Sequence, residues 1–413
     1  MAPFTATPLY ALAENLEQNR NIDDHFDSAM TKKNKKKNQH YVPRMYLRNF
    51  ALGEKKAIHL FNVPSKTPVS NAPLKSQCSA PYFYGKDLVI ENAFERLEGE
   101  VAKIIRNMIK SNTVPKPRTR ESADLLNFVL SQYGRTKHAA DVQNDLVDKF
   151  AKWMLEKNGK FTKDELDLVK IGLVDSPGMA VRNAAQSVLL AMDLKMKLLV
   201  NRTDFEFITS DNPVVFYNQC YERSNLIVGT GLACKGIQIF LPLSPTHLLV
   251  LYDSKVYKIG EKKSDSCNVS NPKDVWQFND LQYLNCVENL YSFSEFTKPG
   301  TFLLEQRNAT RTRGKMPMLN ESDHGERPDG TQELLLHIIK PDIRIGLSVQ
   351  PIRQLITLSE EGLKEFPRPQ RNPSLVILNK EFWQAVEAKK YAPNEILRFV
   401  KDKIQAHSTN VFG

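Results

Sequence analysis

The amino-acid sequence predicts an α+β fold, in which a helical half at about residues 88–200 packs with a mainly antiparallel sheet at about residues 203–350. Two observations lead to this class. Apolar residues recur at the three- and four-residue spacing of amphipathic helices through the first region. After about residue 203 the pattern changes to short alternating or β-branched runs, which are typical of strands.

The predicted helices follow from this periodicity. Within residues 88–110, apolar positions such as Phe94, Leu97 and Val101 lie three and four residues apart and line one helix face. Residues 114–118 contain two prolines and predict a linker before the next helix. The further predicted helices are residues 120–134, 142–155, 163–174, 180–199 and 274–288, with one or two more in residues 380–405.

Short β-rich runs between turn-forming residues predict the strands. The turn at residues 243–245 predicts a hairpin between residues 236–242 and 246–252. Residues 307–331 are polar and rich in Arg, Gly and Asp, which predicts a loop or an insert. The other predicted strands are residues 57–62, 205–209, 214–217, 334–339 and 344–349.

The domain organisation is read from length and charge. The 413-residue chain exceeds the size at which a single core usually stops growing, so we expect one large domain or two unequal ones. Residues 1–37 form a peripheral basic segment that ends in a lysine-rich block at residues 32–37, and we expect this block to be mobile. Residues 38–300 form the predicted main domain, and residues 301–413 form a C-terminal extension with late strands and closing helices.

The chain is moderately basic, with 57 Lys and Arg against 47 Asp and Glu and a net charge of +10. Such a field favours a nucleic-acid or nucleotide partner, because cationic side chains neutralise phosphates and release counterions. The alternative is a solvated basic surface. The sequence leaves the oligomeric state open.

Cysteine usage and hydropathy predict a cytoplasmic protein. Five scattered cysteines without a C-x-x-C spacing argue against a disulfide framework and against a structural zinc site, and they fit reduced thiols. The N-terminus shows no signal-peptide pattern, and no uncharged apolar run reaches about 18 residues. We therefore expect no membrane association.

The segment at residues 39–50, QHYVPRMYLRNF, is the first candidate site. His40 can act as acid, base or metal ligand, because the unperturbed pKa of histidine is about 6.5. Arg44 and Arg48 are four residues apart, so on a helix they share a face and suit a phosphate or a carboxylate. In the alternative interpretation the aromatic residues are core and the arginines pair with acidic neighbours.

Two helical segments add candidates. Glu98 lies beside the apolar stripe of its helix, where its pKa could be raised or where it could bind a metal ion. A solvent-facing glutamate is the alternative. Gln132 and Arg135 place an amide and a guanidinium near a helix C-terminus as substrate-binding candidates, although Arg135 could equally be a cap that meets the helix dipole.

The last candidate segment is residues 210–213, Ser-Asp-Asn-Pro, between two predicted strands. Asp211 and Asn212 can present a carboxylate and an amide together, as a general base, a metal ligand or a hydrogen-bonding clamp. The alternative is a turn fixed by Asp211 and Pro213. The sequence contains no P-loop, dinucleotide-binding, zinc-protease or serine-hydrolase signature, which weakens those four chemistries.

Several segments together resemble the "domain of unknown function 4238" family. Residues 39–44 (QHYVPR) and 46–50 (YLRNF) resemble its N-terminal signature, and the resemblance covers about residues 38–295. Similar to its later segments are Gln132 with Arg135-Thr136, residues 209–214 (TSDNPV), residues 241–245 (LPLSP), and Leu284-Asn285 ahead of Tyr291-Ser292. The family name carries no activity, so the resemblance implies a shared site without a substrate. The residues that it implies converge in one cleft are His40, Arg44, Arg48, Gln132, Arg135, Asp211 and Asn212.

These candidates predict a metal-dependent hydrolase of nucleic-acid or nucleotide phosphodiesters, of the kind used by toxins or phage-defence effectors. Asp211 and Glu98 would hold Mg²⁺ or Mn²⁺, and His40 would move a proton, with Asn212 beside Asp211. Phosphate would bind at the arginines and Gln132. The first alternative is a non-catalytic module that binds nucleic acid or another anion. The second is a structural or interaction protein.

If the hydrolase interpretation holds, the wild-type protein cleaves DNA or RNA in the presence of Mg²⁺ or Mn²⁺. We expect His40→Ala to lower the cleavage rate by roughly 10²- to 10⁴-fold, because general acid–base catalysis typically contributes that much. Gel analysis of both proteins with and without EDTA measures it. Identical cleavage by wild type and His40→Ala would rule the interpretation out.

Overall fold

The structure is a computed structural model that describes residues 37–224, 229–311, 316–326, 332–339, 341–365 and 368–410. The described residues combine helices with mainly antiparallel sheets, which confirms the α+β class. The predicted basic segment at residues 1–37 lies outside the described residues, except for Lys37. No helix in the described ranges combines the length and apolar character needed to cross a bilayer.

The described helices are α1 Arg44–Leu47, α2 Val89–Ser111, α3 Arg120–Gly134, α4 Lys137–Lys157, α5 Lys163–Asp167, α6 Ser176–Ala185, α7 Pro272–Asn285, α8 Lys298–Asn308, α9 Glu360–Lys364, α10 Pro373–Glu387 and α11 Ile396–Asn410. The strands are β1 Asn38–His40, β2 Ala57–Asn62, β3 Thr67–Pro73, β4 Ser79–Pro81, β5 Lys195–Asn201, β6 Thr209–Ser210, β7 Val215–Tyr217, β8 Gln238–Ser244, β9 His247–Tyr252, β10 Tyr257–Ile259, β11 Ser266–Val269, β12 Asn289–Ser292, β13 Met318–Glu326, β14 Gln332–Ile339 and β15 Ile352–Gln354.

The chain divides into two compact units. One unit is Asn38–Asn372. The other contains α10 and α11. These two helices confirm the predicted closing helices at residues 380–405. The predicted domain boundary at residue 300 stays a prediction.

A five-stranded sheet in the order β11-β5-β9-β8-β7 forms the centre of the larger unit. Only β5 and β11 run parallel; the other neighbours are antiparallel. Every residue of β8 and β9 is buried, so both faces of this hairpin are covered. The predicted hairpin at residues 236–252 is confirmed, and its apolar runs read as strands because they are buried on both faces.

A four-stranded antiparallel sheet in the order β3-β2-β12-β6 lies in the same unit. Strand β12 pairs with β2 on one side and with β6 on the other. The predicted strand at residues 57–62 is therefore confirmed as β2. Because β6 ends at Ser210, this pairing holds the start of the Ser-Asp-Asn-Pro segment beside the strand that follows α7.

Helix α3 packs against both α2 and α6, and the helices predicted at residues 88–110 and 120–134 are confirmed as α2 and α3. The approach of α6 is close at Gly134. A β-carbon added there would lie 2.4 Å from the β-carbon of Ala184 and 2.7 Å from the carbonyl oxygen of Ala180. Only glycine fits this contact without a shift of one helix.

The predicted long helix at residues 180–199 is wrong. Helix α6 ends at Ala185, a 3-10 turn follows at Val188–Ala191, and the chain then continues as β5 between β9 and β11. The periodicity of an apolar run of this length does not distinguish a buried strand from a buried helix. Here the run forms a strand because β9 and β11 pair with it on either side. The helical half thus ends before residue 195.

The predicted helix at residues 163–174 also stops early, at Asp167. Side chains of α4 bind the backbone that follows it. The Ile171 amide donates to Asp148 Oδ1 at 2.6 Å, and the Leu173 amide donates to Asn144 Oδ1 at 2.9 Å. These bonds replace the helical ones that the periodicity predicts.

Two strand predictions and one loop prediction need correction. The run at residues 205–209 contributes only its last residue to β6. Residues 344–349 form no strand, because the amides of Ile345, Gly346 and Leu347 donate to Glu222 Oε1 instead. The region 307–331, predicted as a loop, contains β13, which pairs with β14.

Candidate functional site

The N-terminal strand β1 is fixed by the buried side chain of Gln39. Its Nε2 donates to the Gly85 carbonyl at 2.9 Å, and its Oε1 accepts from the Tyr84 amide at 2.6 Å. Strand β1 also pairs with β4. The side chain of Gln39 thereby holds the loop that carries Tyr84 and Gly85 next to His40.

Arg135, at the C-terminal end of α3, is the centre of a buried polar cluster. Its side chain is 2% exposed. Nη1 donates to Glu98 Oε1 at 2.7 Å, and Nη2 donates to the His40 carbonyl at 2.6 Å. Nε donates to the Tyr84 hydroxyl at 3.3 Å, and the guanidinium carbon lies 3.9 Å from the ring centre of Phe94. One cation therefore ties α2, α3 and β1 together.

This placement gives two predicted site residues partners within the protein, while their predicted roles stay predictions. The guanidinium of Arg135 is buried and hydrogen-bonded to partners within the protein, so it is not accessible to a phosphate. Glu98 is neither a solvent-facing carboxylate nor a free metal ligand, since it is 23% exposed and forms an ion pair with Arg135. The sequence could not reveal this pairing, because the two residues lie on different helices.

Gln132, one turn earlier on α3, is fully buried and also binds this segment. Its Nε2 donates to the Tyr41 carbonyl at 3.1 Å. Its Oε1 is buried and has no hydrogen-bond partner in the described structure. Gln132 and Arg135 thus contact successive carbonyl groups of the N-terminal segment, at Tyr41 and His40.

His40 is held as a neutral imidazole. Nε2 lies 3.2 Å from the Lys75 carbonyl, which can only accept, so this nitrogen carries the proton and Nδ1 is unprotonated. The pKa of His40 is lowered to about 4. Burial is the largest cause, and the nearby charges of Arg44 and Arg135 act in the same direction, while the hydrogen bond to Lys75 opposes them. At neutral pH the imidazole is therefore uncharged, so it is a poor general acid and a weak base.

Arg44 and Arg48 are both exposed, and neither forms an ion pair or hydrogen bond through its side chain with a described residue. The Arg48 amide donates to the Arg44 carbonyl, which gives the four-residue spacing that places both on one face. Tyr46 and Phe50, on the opposite face, are fully buried. The aromatic residues are therefore core, and the two arginines remain available to an anion.

Asp211 has its carboxylate committed to the backbone that follows α7. Oδ1 accepts from the Val287 amide at 2.9 Å, and Oδ2 accepts from the amides of Glu288 and Asn289 at 2.7 and 3.1 Å. Burial raises the pKa of Asp211, and these hydrogen bonds oppose the rise. The predicted base and metal-ligand roles are therefore not what this geometry offers.

A metal site was predicted at Asp211 and Glu98. In the ranges that the structure describes, no group of three or more His, Cys, Asp or Glu side chains is placed to share an ion. Each of the two predicted carboxylates instead has a protein partner, as described above.

The rest of the Ser-Asp-Asn-Pro segment is held by α7. Ser210 Oγ lies 3.0 Å from Gln282 Oε1, and Gln282 Nε2 donates to the Pro213 carbonyl at 2.8 Å. Asn212 Nδ2 donates to the Asn285 carbonyl at 3.1 Å. Asn212 is 3% exposed, and its Oδ1 accepts no hydrogen bond from a described residue.

Asn212 lies in the wall of a cavity of about 330 Å³, which we call the α3 C-terminal cavity. The end of α3, the start of α4, helix α6 and residues 230–232 form the other walls. The rings of Tyr133 and Phe216 stack 4.3 Å apart at 18° and form an aromatic wall. Polar side chains are few: His138, Gln143, Asn183, Ser187, Asn212 and Thr230.

The N-terminus of α4 opens onto this cavity. Thr136 caps the helix by accepting from the Ala139 amide at 3.2 Å, and His138 and Ala139 line the cavity. The first turn contains no acidic residue. The positive end of the α4 dipole is thus left without a compensating carboxylate of its own, which favours an anion there.

The structure brings some predicted residues together and separates others. Gln132 binds the carbonyl of Tyr41, and Arg135 binds the carbonyl of His40. Asn212 lines the cavity together with Tyr133 and Gly134 from the end of the same helix. Arg44, Arg48 and Asp211 do not line the cavity. The sequence analysis did not identify Tyr133 or Phe216 as cavity residues, although Tyr133 lies inside the Gln132–Thr136 segment. Phe216 could not be recognised from the sequence, because its place in the cavity wall depends on where β7 packs.

The fold and the cavity define an α+β protein with a ligand-sized cavity at the C-terminal end of α3. The chain belongs to the DUF4238 family, described as "Protein of unknown function (DUF4238)", whose model matches residues 38–295. The match runs from β1 past β12 and includes every predicted site residue. No curated protein matches the chain, and no solved structure matches it.

Arg135→Met is expected to lower the free energy of unfolding by about 3 kcal/mol, because Glu98 and the His40 carbonyl lose their buried partner. Arg120→Met is the matched control. Arg120 is 73% exposed in its pair with Asp124, so its loss should change stability by less than about 0.5 kcal/mol. Urea denaturation of both variants measures this. Equal stabilities would contradict the buried-cluster interpretation.

The pKa of His40 predicts a pH dependence of stability. Below pH 6.5 the unfolded chain takes up a proton at this imidazole, whereas the folded chain does so only near pH 4, so folding loses stability as the pH falls through this window. His40→Gln lacks this loss. The stability of wild type relative to His40→Gln should therefore decline from pH 7 to pH 4, as measured by urea denaturation with pH 8 as baseline. A constant difference would contradict the lowered pKa.

Proposed function

We propose that the chain binds a small planar organic anion, of about the size of a nucleoside monophosphate, in the α3 C-terminal cavity. The observation that carries the proposal is the composition of this cavity. The cavity is lined by Tyr133 and Gly134 from the segment at residues 132–136 and by Asn212 from the segment at residues 209–214. The positive end of the α4 dipole lies at the same cavity. This is the small-ligand form of the anion-binding alternative that the sequence left open.

The size and the aromatic wall support a planar ligand. A volume of about 330 Å³ falls within the range of small-molecule sites, which are mostly apolar with a few polar groups. Tyr133 and Phe216 stack on each other and both line the cavity, so its wall there is aromatic. Stacking of a nucleic-acid base on such a ring contributes roughly 1–3 kcal/mol.

The polar groups support an anion that also carries a hydrogen-bond donor. The start of α4 favours negative charge through its dipole and its amide groups. Asn212 Oδ1 accepts no hydrogen bond in the described structure, so an N–H or O–H of the ligand would satisfy it. A base with an amino group and a phosphate combines these properties.

Hydrolysis of phosphodiesters stays a prediction of the sequence. The residues assigned to the metal ion have other partners, since Asp211 binds three backbone amides and Glu98 pairs with Arg135. Arg44 and Arg48 are the exposed cations that binding of a nucleic acid would use. The geometry therefore favours binding of a small ligand over phosphodiester cleavage.

Isothermal titration of the full chain with AMP, GMP, CMP and UMP tests the proposal, and we expect at least one to bind. Ala139→Leu adds three carbons to the cavity wall, so the ligand can no longer lie fully against the aromatic rings. We expect this binding to weaken about tenfold or more, which corresponds to a loss of about 1.4 kcal/mol of stacking. Ala93→Leu, at an exposed position of α2, is the control and should bind like wild type.

Two results would overturn this proposal. One is the absence of binding by all four nucleotides and by the planar anion anilinonaphthalene sulfonate. The other is equal affinity in Ala139→Leu and in Ala93→Leu, which would place the ligand elsewhere on the chain.

A further inference from the structure

A second cavity, of about 490 Å³, lies at the opposite end of α3 and is lined by basic side chains. We call it the α3 N-terminal cavity. Its walls come from residues 114–118, the first turn of α3, residues 192–197 and residues 262–265. It has no lining residue in common with the α3 C-terminal cavity among the described residues. Along α3, Ser122 in one cavity and Gly134 in the other are roughly 18 Å apart.

The charge around this cavity is strongly positive. Its five cations are Lys116, Arg118, Lys195, Lys197 and Lys262. None of them forms an ion pair with a carboxylate in the described ranges. Of the two acidic residues in the walls, Asp193 is neutralised by a two-pronged pair with Arg371 at 2.8 and 3.0 Å. Asp265 is therefore the only wall carboxylate without a cationic partner among the described residues.

Lys197, on strand β5, is the cation that distinguishes this cavity from a solvated basic surface. It is 4% exposed. Its ammonium donates to the carbonyl of Glu261 at 2.6 Å and to that of Ser264, both of which are neutral acceptors. An ammonium has three donors, so one remains. Asp265 and Glu261 are nearby carboxylates that act on this ammonium, but neither forms an ion pair with it in the described ranges. A buried cation without a paired carboxylate is costly, and an anion in the cavity would offset this cost.

The loop that presents two further cations is stiff. Pro115 and Pro117 fix the backbone on either side of Lys116. Arg118 has a φ of +62°, a left-handed conformation that non-glycine residues rarely adopt. Less conformational entropy is therefore lost when Lys116 and Arg118 engage a ligand than in a flexible loop.

The N-terminus of α3 adds to the same potential. Ser122 and Ala123, in the first turn of this 15-residue helix, line the cavity. The positive end of the helix dipole therefore faces the same space as the five cations. Glu121 in the same first turn offsets part of this dipole, so the five cations are the main source of the positive potential, which favours an anion of high charge.

We propose that the α3 N-terminal cavity is a second ligand site that binds a small polyphosphate, such as pyrophosphate, tripolyphosphate or the phosphate chain of a nucleoside triphosphate. Several phosphate groups match several cations within one cavity. The position of Lys197, buried at the wall of a cavity of about 490 Å³, favours a small ligand over a nucleic-acid duplex, which is too wide to enter it. This site is independent of the planar-anion site proposed above.

Titration calorimetry of the full chain with sodium tripolyphosphate at constant ionic strength tests the proposal. We expect wild type to bind, with an affinity that falls as NaCl rises. The double variant Lys116→Gln/Arg118→Gln should raise Kd about tenfold or more, because two charge-assisted hydrogen bonds are lost. Lys160→Gln/Arg96→Gln is the matched control: it removes the same charge from exposed positions outside the cavity and should leave Kd unchanged.

Lys197→Met tests the buried cation directly and should raise Kd by at least as much, with circular dichroism used to verify folding. If this variant does not fold, the exposed double variant decides the question. Three results would overturn the proposal: no tripolyphosphate binding by wild type, equal weakening in the matched control, or binding of a single-stranded octanucleotide in place of tripolyphosphate. None of these depends on the nucleoside monophosphate titration or on Ala139→Leu.

Discussion

The buried guanidinium of Arg135 is the interaction on which the arrangement of this protein depends. Burial of a cation is unfavourable unless it is paired and hydrogen-bonded, and here the guanidinium donates to Glu98, to Tyr84 and to the His40 carbonyl. A lysine could not do this, because only the planar guanidinium has donors fixed in several directions and a flat face for Phe94. The end of α3 is therefore fixed to α2 and to the N-terminal strand.

A second buried charge fixes the other side of the α3 C-terminal cavity. Asp211 connects β6 to the chain after α7 by accepting three backbone amides, as a helix cap or an anion-binding loop would. The tetrapeptide is thus mainly a structural joint. Asn212 is the exception, because its side-chain Oδ1 accepts no hydrogen bond from a described residue and the residue lines the cavity together with Tyr133. Two family segments that are distant in sequence meet at this cavity.

Helix α3 separates two cavities of different chemistry. At its C-terminus, Gly134 permits α6 to approach closely, and the walls there are aromatic and amide groups with little charge. At its N-terminus, the walls carry five cations, of which Lys197 is buried. The net positive charge of the chain is therefore not only a solvated surface property, since part of it is concentrated in one concave site.

The sequence by itself determined the α+β class, the strand at residues 57–62, the hairpin and the helices α2 and α3, because apolar periodicity and turn residues are properties of neighbouring positions. It also indicated the segments that form the candidate site. Only the tertiary structure decided that Arg135 pairs with Glu98, that Asp211 meets the amides after α7, and that residues 195–201 are a strand. Such pairings depend on which distant surfaces are buried against one another, and no local pattern of residues encodes that choice.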